Sequence, residues 1–159
     1  MEPRIVKVEL PPRRLVGVVC LFIPSMEENS DAKEKIPEAW HQLGHVAEDN
    51  RLSTHWSIGV MSGSDEVGKM RYVACVPGDA SGSVPASMTE VDFEGGTYVG
   101  CEHIGSLDSF GQTAAWFYSD FLPSSEYHVI DGPHLEIYDE RFNPESPTSV
   151  VTLCAPIAD

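Results

Sequence analysis

The segment His134-Leu135-Glu136-Ile137-Tyr138 sets an acid between apolar residues in a stretch with the alternation of a strand. Period two puts Glu136 and Tyr138 on one face and Leu135 and Ile137 on the other. If the Leu135 face packs against helices, Glu136 points into a groove or into solvent. Burying a carboxylate alone costs several kcal/mol, so a buried Glu136 calls for a cationic or hydrogen-bonding partner. A ligand would serve as that partner; the plainer alternative is a solvated glutamate or one end of an ordinary ion pair. Aromatic residues in separate segments, Trp56, Tyr72, Tyr98, Phe110 and Tyr138, could wall such an acid. Ring contacts with a flat or cationic molecule contribute about 0.5–2 kcal/mol each. Singly, each ring is more often core filler. An offset of 78 positions sets Ile58 against Glu136 and Trp56 against His134, so that an earlier segment offers apolar wall where the later one offers charge.

Other chemistries find little support. His41 and His45 have the spacing of a helical pair, but Gln42-Leu43-Gly44 between them lacks the glutamate of a zinc-protease motif. They read as surface histidines, and neither a metal nor a cofactor is expected. His55, His103, His128 and His134 show no ligand spacing. No G-x-S-x-G elbow or phosphate-binding glycine loop occurs. Cys20, Cys75, Cys101 and Cys154 lie singly in apolar runs, as buried reduced thiols do.

The elements that would position these residues appear twice. Val8-Glu9-Leu10 is echoed by Val91-Asp92-Phe93, and Leu15-Val16-Gly17-Val18 by Tyr98-Val99-Gly100-Cys101, each 83 positions later. Strands are expected over Ile5–Leu10, Leu15–Ile23, Trp56–Met61, Tyr72–Val76, His134–Tyr138 and Val150–Pro156. Pro11-Pro12 and Gly95-Gly96 mark matching corners. The acidic stretch from Ser25 to Glu34 reads as a mobile surface loop. A helix follows, with Pro37 in its first turn and Ile36, Trp40, Leu43 and Ala47 as its stripe. A second helix carries Leu107, Phe110, Ala114, Phe117 and Phe121, capped by Ser106 or Asp108 and stopped by Pro123. Residues 77–87 read as a linker. The expectation is an α+β domain spanning 1–159, built from two tandem β-α-β-β units, 4–78 and 88–157, about a pseudo-twofold axis. Their meeting groove would be the ligand site.

With 159 residues, 42% of them hydrophobic, the chain can bury a core without staples. Its 25 acids against 10 bases give a net charge of −15, which repels phosphate backbones and argues against direct nucleic-acid binding. No apolar run reaches membrane-spanning length, and Met1-Glu2-Pro3-Arg4 lacks signal-peptide order, so a cytoplasmic protein without membrane association is expected.

The chain resembles the GyrI-like proteins, the AraC-type effector-binding, SOUL-related family. The likeness runs through Val6–Gly17, Ile36–Trp40 and Arg71–Ala74 and is most specific in Gly132–Phe142. It implies paired β-α-β-β units and a pocket for lipophilic, often cationic compounds. The family's central acid falls on Glu136 and its pocket aromatics on Tyr72 and Phe110. Ile58 takes the place of a tyrosine in relatives, a gap that Trp56 would fill. Relatives are often fused to a helix-turn-helix, and the resemblance here is to the free-standing form. It implies a binding module that senses or sequesters a hydrophobic cation through Glu136, Tyr72, Trp56, Phe110, Tyr138 and Ile58. One alternative is a hydrolase of strained, cyclopropane-bearing electrophiles with Glu136 and Tyr72 as catalytic residues. The other is a protein that modulates a topoisomerase by direct contact.

Overall fold

The computed structural model describes residues 2–24, 27–79 and 81–159. Eight antiparallel strands and two principal helical segments make an α+β fold, divided into two compact units. The first comprises residues 1–11 and 95–159, the second residues 12–94. In the second unit, β2 (Arg13–Phe22), β3 (Ser57–Gly63), β4 (Met70–Pro77) and β5 (Thr89–Phe93) run in the order β3-β4-β2-β5. In the first, β1 (Arg4–Leu10), β6 (Gly96–Ile104), β7 (His134–Tyr138) and β8 (Val150–Pro156) run in the order β1-β6-β8-β7. β1 thus pairs with β6 and β5 with β2, although each is joined in sequence to a strand of the other unit. Gly95 and Gly96 make the β5–β6 corner with φ of 74° and 141°, values that favour glycine.

In the second unit, α1 (Ala32–Asp49) lays Ala39, Leu43 and Ala47 against β2 and β4. Their spacing of four forms one buried stripe, and the alanines let helix and sheet approach closely. Val16, Val18, Phe22, Tyr72, Ala74 and Val76 meet this helix. The helix begins before the expected position, so Ala32–Glu34 are helical and Pro37 lies in the second turn. Of the expected Ser25–Glu34 loop, Ser25 and Met26 lie outside the described residues, and Glu27 to Ser30 form turns. In the 77–87 segment, where Ala80 lies outside the described residues, Arg14 holds the carbonyls of Asp79 and Gly82 at 3.3 and 2.8 Å.

In the first unit, the helical segment changes pitch three times. A 3₁₀ turn (Leu107–Ser109) capped by Ser106 leads into α2 (Phe110–Trp116), a π turn (Phe117–Phe121) and α3 (Leu122–Ser124). The π turn widens the helix, so Tyr118 and Leu122 join Phe117 and Phe121 against Val99, Cys101, Leu153 and Ala155. The expected stripe fails at its first member, for Leu107 is 45% exposed. Pro123 lies inside the last turn, so the chain leaves the helix two residues later, at Ser125. Among the described residues, no helix is long and apolar enough to cross a membrane.

Candidate functional site

Glu136 stands mid-way along β7, directly opposite Leu153 of β8. Opposed residues of an antiparallel pair point to the same side, and Leu153 belongs to the core beneath α2 and its π turn. Glu136 therefore faces the helices, while Leu135 and Ile137 take the other side. The condition weighed from the sequence, with the Leu135 face packed on the helices, is therefore not met. Both faces of β7 are buried, so apolar alternation cannot reveal which one the helices cover. Glu136 is only 7% exposed.

The residues around it come from two elements. Tyr138, two positions along the same face, donates its hydroxyl to Glu136 Oε1 at 3.1 Å and sets its ring edge-on to Phe142. Tyr118 reaches over from the π turn, its hydroxyl 3.1 Å from His134 Nδ1. Burial, and after it the charge of Glu136, push the Tyr118 phenol well above its ordinary pKa, so it stays protonated. Burial also pulls His134 below the usual histidine value, which keeps the imidazole neutral at pH 7. The face of β7 thus presents a carboxylate among neutral hydrogen-bonding rings. Beside it opens a cleft of about 740 Å³ lined by Tyr118, Leu122, Pro123, Tyr127, His128 and His134, among others. Its volume is that of small-molecule sites. Tyr118 and His134 form the wall shared between this cleft and the surroundings of Glu136.

The other expected residues are placed as follows. Phe110 starts α2 and meets the His103 ring edge-on at 5.5 Å. His103 is itself held by Thr113 at 2.7 Å and by the Ser106 carbonyl at 2.8 Å; that carbonyl can only accept, so Nε2 carries the proton. Tyr72, in the second unit, is fully buried on the α1 side of β4, where its hydroxyl accepts from Trp40 Nε1 at 2.8 Å. That hydroxyl lies over Gly59, whose missing side chain makes room for it. Ile58 is also buried but sits opposite Cys75, on the face away from α1. Trp56 lies just before β3 with the Arg13 guanidinium 4.4 Å over its ring, and it lines a smaller cleft of about 360 Å³. Tyr118 was missed by the sequence reading, although it continues the spacing of four from Phe110 and Ala114.

The first unit buries a second acid. Glu102 is 5% exposed, and its oxygens accept from Arg4 Nε at 2.6 Å and Arg141 Nη1 at 2.7 Å. Two cations neutralise it, as suits a structural role. At Glu136 the Tyr138 phenol donates a hydrogen bond, which stabilises the carboxylate. Among the described residues, no group of three histidine, cysteine or acidic side chains could hold a metal ion. The four thiols are free, three of them fully buried.

The sequence model of the GyrI-like small molecule binding domain matches residues 1–158. The chain belongs to that family. Solved structures share the fold of this GyrI-like domain. SAV2435, solved with tetraphenylphosphonium bound, is 18% identical with a TM-score of 0.73, over 99% of this chain and 94% of that one. The EcmrR C-terminal domain is 12% identical with a TM-score of 0.67, over 100% and 99%. A Listeria innocua hydrolase is 15% identical with a TM-score of 0.53, over 99% and 92%. At these identities the likeness is one of fold. Comparison with curated protein sequences finds no match.

Proposed function

We propose that this GyrI-like domain binds a hydrophobic organic cation, as a sensor or sequestering module, with Glu136 as the counter-charge. The observation that carries the reading is the helix-facing placement of Glu136 in the first unit, bonded by Tyr138 and adjoining Tyr118. Tyr118, Tyr138, His134 and Phe110 supply the aromatic wall in that unit. The roles of Tyr72, Trp56 and Ile58 rest on the family resemblance. SAV2435 was solved with a lipophilic cation of this class, which makes tetraphenylphosphonium a suitable probe. A cation centre about 6 Å from the carboxylate, at an effective dielectric of about 20, gains about 3 kcal/mol, or roughly 100-fold in affinity. Calorimetric titration should therefore show binding by the native chain and a loss approaching that factor in Glu136→Gln. Equal affinity in the two proteins would remove Glu136 from the site. Turnover of a cyclopropane-bearing alkylator that stops in Glu136→Gln would favour a hydrolase instead.

We infer further that the fold arose by tandem duplication of a β-α-β-β module, in copies 4–78 and 88–157. Pairing registers support this. Moving each partner by 83 positions carries Val8↔Tyr98 onto Val91↔Leu15, and Leu10↔Gly96 onto Phe93↔Arg13. The opening strand of each copy thus pairs in the other copy's unit at the same register.

A further inference from the structure

The outer face of α1 carries two imidazoles in a geometry that the sequence spacing alone could not reveal. His41 and His45 are exposed, their Nε2 atoms stand 3.2 Å apart, and their rings meet at 86° with centroids 4.6 Å apart. The inner stripe of α1, Ala39, Leu43 and Ala47, is buried on the opposite side, so the pair opens to water. With metal–nitrogen bonds of about 2.0–2.1 Å, two nitrogens at this spacing subtend about 100° at a shared ion. That angle falls between the right angle of octahedral or square-planar sites and the tetrahedral value. The separation of the two nitrogens already suits a chelate.

We propose that His41 and His45 form a surface site for a divalent transition ion that prefers imidazole, of the nickel, copper and zinc class. The contact between the two Nε2 atoms needs one proton between them when both rings are neutral. A metal takes the place of that proton, which moves to Nδ1 of the same ring, leaving both Nε2 lone pairs on the ion. No third histidine, cysteine or acid among the described residues completes the shell, so water fills the remaining positions. The site is therefore exchangeable rather than structural. Its surroundings favour a cation: Glu34, Glu38 and Glu48 share this face of α1, and the chain carries a net charge of −15. Gly44, a poor helix former, lies between the two ligands, so a chelate across that turn stiffens the helix whose inner side holds Trp40 on Tyr72.

The test is titration of the untagged chain with nickel(II) by calorimetry, followed by thermal unfolding at saturating nickel. One ion should bind per chain and raise the unfolding temperature. His41→Ala and His45→Ala should each weaken binding by about 10-fold or more, because either change turns a two-point chelate into a single contact. Both variants should also abolish the thermal shift, and the double variant should lose the residual single-contact binding as well. Absence of binding at millimolar nickel would overturn the proposal. So would nickel affinity unchanged in both single variants, which would place the ion elsewhere.

Discussion

Changing Glu102 or Glu136 to glutamine removes one negative charge from a buried position of the first unit in either case, and the two changes should have opposite signatures. Glu102 is 5% exposed and gives one oxygen to Arg4 and the other to Arg141. Those arginine side chains are 63% and 38% exposed, so they can rehydrate when the acid is neutralised. Loss of one partner of a fully buried pair costs about 3–5 kcal/mol, and solvent screening of these two cations lowers the expectation to about 1–3 kcal/mol. For a chain of this length each kcal/mol moves the melting temperature by about 2–4 °C. Glu102→Gln should therefore melt roughly 3–10 °C lower and still bind the lipophilic cation.

Glu136→Gln keeps an acceptor oxygen for the Tyr138 hydroxyl while removing charge from a site that is 7% exposed. Relief of carboxylate desolvation opposes the weaker hydrogen bond from Tyr138, so the change at that contact is about 1 kcal/mol or less. Urea unfolding of both variants, beside titration with tetraphenylphosphonium, reads the two quantities independently. The reasoning is refuted if Glu136→Gln loses as much stability as Glu102→Gln, since Glu136 would then hold the fold together rather than serve a ligand.

Two further outcomes follow from the packing. In Gly59→Ala a methyl group would overlap the Tyr72 hydroxyl, displacing the ring from Trp40 and costing about 1–3 kcal/mol; unfolding curves matching native would show that the ring is not confined there. Burial raises the thiols of Cys75 and Cys154 to about 12 and that of Cys101 to about 11. Folded values above the ordinary thiol value of 9.0 mean stability that is full below pH 9 and lost as pH rises towards 11–12. Each such thiol should contribute a slope of about 1.4 kcal/mol per pH unit within that window. Urea unfolding at pH 8 and pH 10.5 checks this, and equal stabilities would contradict the burial.

The strands were legible where apolar runs end at proline or glycine. His134–Tyr138 after Gly132-Pro133, and Val150–Pro156, match the expected spans. The start of α1 was hidden because its first turn carries three exposed charged side chains, Lys33, Glu34 and Lys35, with the look of a loop, and because the Asp31 carboxylate accepts from the Ile23 N–H instead of capping the helix. Tyr118 escaped because a helix read at constant pitch follows one stripe, whereas the π turn brings a second line of residues to the sheet. The acid itself was legible, but its direction was not: a strand buried on both faces offers no polar side to mark the outside.

That ambiguity of face also governs how the units compare. An offset of 78 aligns Ile58 with Glu136, yet Ile58 points away from α1 whereas Glu136 points towards its helices. A slip of one residue turns every side chain over, so matching by face sets Gly59 against Glu136 and Ile58 against Leu135. Both units then carry a polar head on the helix side of this strand, reached by different routes. In the second unit it is the Tyr72 phenol, delivered from β4 and held by Trp40, and Gly59 is the vacancy that admits it. In the first unit β7 supplies the head group itself, as a carboxylate. An acid at position 59 would collide with Tyr72, so the phenol and the carboxylate exclude one another within a unit. On the duplication proposed above, one copy carries a charged head at this position of the strand and the other a neutral aromatic one.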